Sequence, residues 1–182
     1  LSKRLSIMNK TQQPGNQRLG KWMIFAAWLL GFAMLLLYFN NFLEQEKNPN
    51  QSVYSRVDDA GNSEVILQRN RYGHYVTNGK INNIPVTFML DTGATDVAIP
   101  ENVASKLGLV KGAQKQYRTA NGIVTAHATM LDVVAIGPLQ VKNVRASINP
   151  GLKGNEVLLG MSVLKRIEFT QRDDTLILKS YN

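Results

Sequence analysis

The chain has 182 residues, no cysteine, two histidines and a formal net charge of +8. The missing thiols exclude disulfides, thiol nucleophiles and cysteine-based metal sites together. His74 and His127 stand far apart without ligand-spaced partners, and the charge is no nucleic-acid signature. Lys3, Arg4, Lys10, Arg18 and Lys21 all precede a long apolar run, and from Asn48 onward fifteen Lys and Arg face eleven Asp and Glu, scattered along the chain.

Residues 1–21 read as a basic polar tail without periodicity. Residues 22–43 are apolar and uncharged, with Trp22 and Tyr38 near the ends. About 20 such residues span a bilayer as a helix, and amphipathic rings favour its headgroup zones. A cleavable signal peptide has a shorter apolar core and a small-x-small site after it; here Tyr38-Phe39-Asn40-Asn41-Phe42-Leu43 follows. The expectation is therefore an uncleaved, single-pass anchor in the inner (cell) membrane. Cations before the helix put the N-terminus in the cytoplasm and the bulk of the chain in the periplasm or another extracytoplasmic space.

Residues 44–70 are polar and read as a stalk, with a strand near Val65–Arg69 that could pair with the folded domain of residues 71–182. In that domain Gly73–Ile81 reads as a strand, Asn82–Pro85 as a turn and Val86–Leu90 as the return strand. After Asp91-Thr92-Gly93 come a strand at Val97–Pro100 and a short helix over Glu101–Gly108, with Pro at its start and Gly at its end. Gln116–Ala126 reads as a hairpin about Asn121-Gly122. Strands at Ala128–Ile136, Leu139–Ile148 and Glu156–Leu159, a short helix over Met161–Ile167 and a last hairpin about Arg172-Asp173-Asp174 complete a mainly β domain, a small closed barrel or sandwich.

The chemistry converges on Asp91-Thr92-Gly93. A strand burying Phe88 and Leu90 delivers a lone acid to its end, where Gly93 permits a turn. Read alone, this is equally a strand followed by an Asx turn in which Asp91 caps its own backbone. Apolar residues such as Val97, Ile99, Ile123 and Val157 read as pocket lining or as core.

Together these features resemble the retropepsin-like aspartic proteases. The match rests on Leu90-Asp91-Thr92-Gly93-Ala94, the hairpin Tyr117–Val124, Val157-Leu158-Leu159-Gly160-Met161 before a short helix, and the closing strand Thr175–Leu178. With the N-terminal anchor, it points to the bacterial membrane-anchored branch. The resemblance implies a small closed acid-protease barrel with one or two short helices, and an aspartic endopeptidase needing no metal or cofactor. It implies Asp91 as the catalytic acid, supported by Thr92, Gly93 and Ala94. Thr119, Ala120, Asn121, Gly122 and Ile123 are then the flap over substrate, and Leu158, Leu159 and Gly160 the second apolar-apolar-Gly strand. A chain with one Asp-Thr-Gly needs a second copy, so a homodimer is expected, acting on extended peptides and not on nucleic acid. The alternative is a non-catalytic domain of the same fold that binds peptides or assembles a membrane partner. Thr95 stands where the retroviral branch often has an acid, and the hairpin tip has one glycine where retroviral flaps have several.

Overall fold

The structure, a computed structural model, describes residues 15–58, 61–119 and 122–180. It divides into two units, residues 1–43 and 44–182. Helix α1 (Gly15–Lys47) runs beyond the expected 22–43 at both ends. Its Gly20–Lys47 stretch, mean hydropathy 2.1, is the one helix among the described residues long and apolar enough to cross a membrane. Large apolar side chains are exposed along it, from Trp22 through Phe32 to Phe39. At 1.5 Å per residue those 28 residues rise about 42 Å.

Among the described residues the second unit holds eleven strands and two short helices. In chain order these are β1 (Tyr54–Val57), β2 (Ser63–Gln68), β3 (Val76–Ile81), β4 (Ile84–Leu90), β5 (Val97–Pro100), α2 (Glu101–Lys106), β6 (Gln114–Thr119) and β7 (Gly122–Ile136), followed by β8 (Leu139–Asn149), β9 (Glu156–Leu159), α3 (Met161–Leu164), β10 (Ile167–Arg172) and β11 (Thr175–Ser180). One sheet has the order β3-β4-β9-β5-β8-β7-β6, and β3 also pairs with β7. That extra pairing, Lys80 with Ala135 and Ile81 with Val134, closes β3 through β7 into a barrel. The expected closed β architecture is present. Its interior is filled by Phe88, Ile81, Ile99, Leu131, Ile148 and Leu159, all fully buried. A second sheet, β1-β2-β11-β10, adds Val65, Leu67 and Leu178 to the same core.

Local chemistry explains the boundaries. The β3–β4 turn uses two residues, Asn82 and Asn83, both at positive φ (48° and 67°). Asparagine tolerates this left-handed conformation, so Ile84 and Pro85 join β4 where four turn residues were expected. Pro100 starts α2, and Gly108 at φ 65° follows its end. The hairpin arm and the following strand are one continuous fifteen-residue β7, which pairs with β6 near its start and with β3 near its end.

The expected stalk at residues 44–70 differs most, because it belongs to the compact unit. Asn50 is buried; its Oδ1 accepts the Gln68 N–H at 2.7 Å, and its Nδ2 donates to the Val76 carbonyl at 2.7 Å and the Gln68 carbonyl at 2.9 Å. Asn48 donates to Asn78 Oδ1 at 3.0 Å. A buried amide that satisfies backbone groups looks polar in sequence yet is structural. The strand expected near Val65 does pair with the domain: β2 lies against β11, Val65 opposite Leu178. Buried Glu64 on β2 is ion-paired with Lys179 on β11 and, at 2.6 Å, with Arg56 on β1.

Candidate active site

Two parallel strands set the position of Asp91. β4 and β9 run side by side, with Met89 opposite Leu158 and Leu90 opposite Leu159. The Asp91 N–H donates to the Leu159 carbonyl at 3.2 Å, so the acid emerges where both strands end. The chain then turns. Asp91 Oδ1 accepts the Gly93 N–H at 2.9 Å, and the Ala94 N–H returns to the Asp91 carbonyl at 3.2 Å. The Asx turn anticipated from Asp-Thr-Gly is therefore real, and it fixes the carboxylate at the surface instead of hiding it. Asp91 is half-buried, while Thr92 and Gly93 are exposed.

The loop is held from beneath. Gly160 packs so closely that a Cβ there would stand 2.3 Å from the Asp96 carbonyl oxygen and 2.6 Å from that of Ala94. No side chain fits, which is why an apolar strand must end in glycine at this point. The Met161 N–H donates to the Ala94 carbonyl at 2.8 Å and the Ser162 N–H to that of Thr95 at 2.9 Å. Buried Ser162 does more: its Oγ accepts the Val97 N–H at 3.1 Å and donates to the Arg145 carbonyl at 2.8 Å. It thus joins α3, β5, β8 and the loop after Asp91.

A charged cluster flanks the loop. Asp96, five residues after Asp91, has its Oδ2 at 3.4 Å from the Tyr117 hydroxyl on β6. Arg145 Nε stands 3.4 Å from its Oδ1, at ion-pair range but without hydrogen-bond alignment. Burial, and next the Asp96 charge, push the Tyr117 phenol above the ordinary tyrosine range. Asp96, Tyr117 and Arg145, with Leu109, Ala128 and Met130, line an open cleft of about 570 Å³ beside the β6–β7 hairpin.

Of the residues singled out from sequence, the structure brings Asp91–Ala94 against Leu158–Gly160. Leu159 is core and Leu158 half-buried. Thr119 ends β6 and pairs with Gly122, which opens β7 at φ 108°; Ala120 and Asn121 lie outside the described residues. Ile123 is exposed, whereas Val97, Ile99 and Val157 are core. Sequence reading notes Ser162 only as a departure from the viral pattern after Leu-Leu-Gly and gives neither it nor Arg145 a role at the site. The only available signal was a small polar residue just after Leu-Leu-Gly, since hydrogen bonds to distant backbone leave no spacing pattern.

Comparison with known proteins agrees with this geometry. Residues 77–166 match the sequence model of the family described as "gag-polyprotein putative aspartyl protease". The crystal structure of a retropepsin-like aspartic protease from Rickettsia conorii is 36% identical and superposes with a TM-score of 0.56, covering 71% of this chain and 96% of that one. Two uncharacterised proteins are also similar, one from Rickettsia prowazekii (strain Madrid E), 37% identical over 122 residues, and one encoded in the cobV 5' region of Sinorhizobium sp, 34% identical over 127 residues. These matches cover 65% and 68% of this chain, which spans about half the length of each relative, 52% and 54%. With an acid at the end of paired parallel strands, a glycine wedged beneath its loop and a solved relative 36% identical of which 96% is covered, the chain belongs to the retropepsin-like aspartic protease family.

Proposed function

We propose that the chain is one half of an aspartic endopeptidase that cuts extended polypeptide segments outside the cytoplasm, with the second half supplied by an identical chain. The observation that carries this reading is the Asp91 carboxylate, held by the Gly93 N–H at the exposed end of β4. One carboxylate cannot act as both base and acid in a single step. Two Asp91 residues across a two-fold axis can, because like charges ~3 Å apart do not both ionise and so retain one proton between them. The ionised carboxyl takes a proton from a water whose oxygen attacks the peptide carbonyl carbon. The protonated one donates to the carbonyl oxygen, and collapse of the tetrahedral species breaks the C–N bond as the amine takes up a proton. The pair titrates as a unit, so neither copy has a fixed role.

In this reading Thr92 bonds across the axis, the Gly93 backbone meets substrate, and Ala94 supports the loop. Thr119, Ala120, Asn121, Gly122 and Ile123 close over an extended peptide that adds as a strand. Residues 22–43 anchor the protein as a single pass, with residues 1–21 cytoplasmic and residues 44–182 as the catalytic unit in the periplasm or another extracytoplasmic space. The burial of Asn50 and Glu64 supports including residues 44–70 in that unit. The deciding experiment incubates the full chain, in detergent micelles, with a peptide library. Cleavage at mildly acidic pH that disappears in Asp91→Asn is expected. Equal cleavage by both proteins would end the proposal.

A further inference from the structure

The last turn of α1 belongs to the second unit, which begins at Glu44. Three contacts fix it there. The Asn70 side chain donates to the Lys47 carbonyl at 2.8 Å, Arg71 is ion-paired with Glu46, and buried Asn48 donates to Asn78 Oδ1. Against this turn lies an open, polar pocket of about 520 Å³, lined by Glu44, Lys47, Gln51, Thr87, Asn155 and Glu156 among others. Thr87 on β4 stands opposite Glu156, the first residue of β9. Among the described residues Glu44, Lys47 and Glu156 have no ion-pair partner, so two acids and one base share a concavity without contacting each other.

We infer that this pocket seats the headgroup of a phosphatidylethanolamine molecule, an inference that rests on the proposed membrane anchor at residues 22–43. Depth is the first argument. Those residues rise about 33 Å as helix, close to the ~30 Å hydrocarbon core, and the headgroup layer adds about 5–8 Å on each side. Glu44 and Lys47 follow Leu43 by one and four residues, or about 1.5–6 Å along the axis, and tilt only shortens that rise. Both pocket residues therefore stand at headgroup depth. Chemistry is the second argument. A primary ammonium donates to the Glu44 and Glu156 carboxylates, while the phosphate lies beside Lys47. Asn155 Oδ1 already accepts from Asn102 at 2.7 Å, which leaves its Nδ2 to donate to a phosphate oxygen. A glycerol headgroup brings a net negative charge to a pocket with one negative charge in excess, and a choline ammonium has no N–H to donate. A seated headgroup also bears on the candidate site. β9 starts at Glu156 and ends at Leu159, whose carbonyl holds the Asp91 N–H, so pocket and catalytic loop are about 10 Å apart along one strand.

The test offers the full-length chain in detergent micelles phosphatidylethanolamine, phosphatidylglycerol or phosphatidylcholine and counts the retained lipid by native mass spectrometry. Wild type should hold one phosphatidylethanolamine at least about fivefold more tightly than either rival. Glu44→Gln combined with Glu156→Gln should erase that preference, as should Lys47→Glu. The Lys47 contact to Asn70 runs through its backbone carbonyl, so Lys47→Glu leaves it in place. Glu44→Lys combined with Glu156→Gln should turn the preference toward phosphatidylglycerol, a gain that a damaged fold cannot produce. Equal retention of the three lipids by wild type overturns the headgroup pocket. So does a preference indifferent to these exchanges, which is what lipid held only along the apolar helix would show. Alkaline extraction from vesicles separates this inference from the reading beneath it. A chain released into the wash removes the anchor and the pocket's ligand together. A chain that resists extraction yet prefers no headgroup removes the pocket alone. Neither result bears on cleavage through Asp91.

Discussion

Gly160 and Asp96 are in such close backbone contact that one added methyl group at Gly160 would lie 2.3 Å from the Asp96 carbonyl oxygen. Neither partner is the end of a flexible side chain, so accommodation requires moving the loop that carries Asp91. Gly160→Ala is expected to cost about 3 kcal/mol and to lower the melting temperature, with activity falling further than stability because the carboxylate is displaced. Thermal melts beside peptide-cleavage rates check this. An unchanged melting temperature would contradict the contact.

A shared site makes a quantitative claim about mixtures. Asp91→Asn keeps a side-chain oxygen to accept the Gly93 N–H, so fold and pairing should survive while cleavage drops at least about 10³-fold. Mixed in equal amounts with wild type and allowed to exchange, random pairing leaves about one quarter of the dimers with two acids. Total activity should approach that quarter of an all-wild-type sample. A fall to one half only would mean each chain works alone.

Ser162 is tested through its hydroxyl. Ser162→Ala leaves the Val97 N–H and the Arg145 carbonyl without their buried partner. Unsatisfied buried groups of this kind cost about 1–3 kcal/mol each, partly relieved by relaxation, so a loss of about 2 kcal/mol is expected in denaturant titration. A neutral result would show that solvent replaces the hydroxyl.

The pH dependence of stability should centre on Glu64. Hydrogen bonds from Lys179 and then Arg56 hold its carboxyl below its ordinary value of 4.5. A group lowered in the folded state contributes stability above its unfolded value and loses it as pH falls through the folded one. Wild-type protein should therefore keep its full melting temperature above pH about 4.5 and lose it progressively below. Glu64→Gln should melt lower at neutral pH with a shallower acid decline. Parallel acid profiles for both proteins would assign the decline elsewhere.

Much of this molecule was legible because backbone geometry imposes residue types. Val97–Pro100 and the following helix were readable, since Pro100 and Gly108 mark their ends, and Gly160 was readable because nothing larger fits. Other features left weaker traces. Asn82 and Asn83 perform a turn usually given to glycine, so the turn appeared longer than it is. Asn48 and Asn50 looked like solvent-exposed stalk because composition cannot separate an amide facing water from one facing buried carbonyls. Arg145 was invisible for a related reason, as its two roles depend on β8 lying beside β5.

The unbroken course of β7 has a consequence for anyone exchanging parts between relatives. The hairpin arm and the barrel stave are one strand from Gly122 to Ile136, with no turn between them. A transplanted hairpin one residue longer or shorter, entering without a bulge, would shift β7 against β8 and β3 and turn Val134 and Ile136 away from the core. The hairpin is therefore no interchangeable module. Its length is written into the barrel, and specificity grafts should carry β6 and all of β7 as a single cassette.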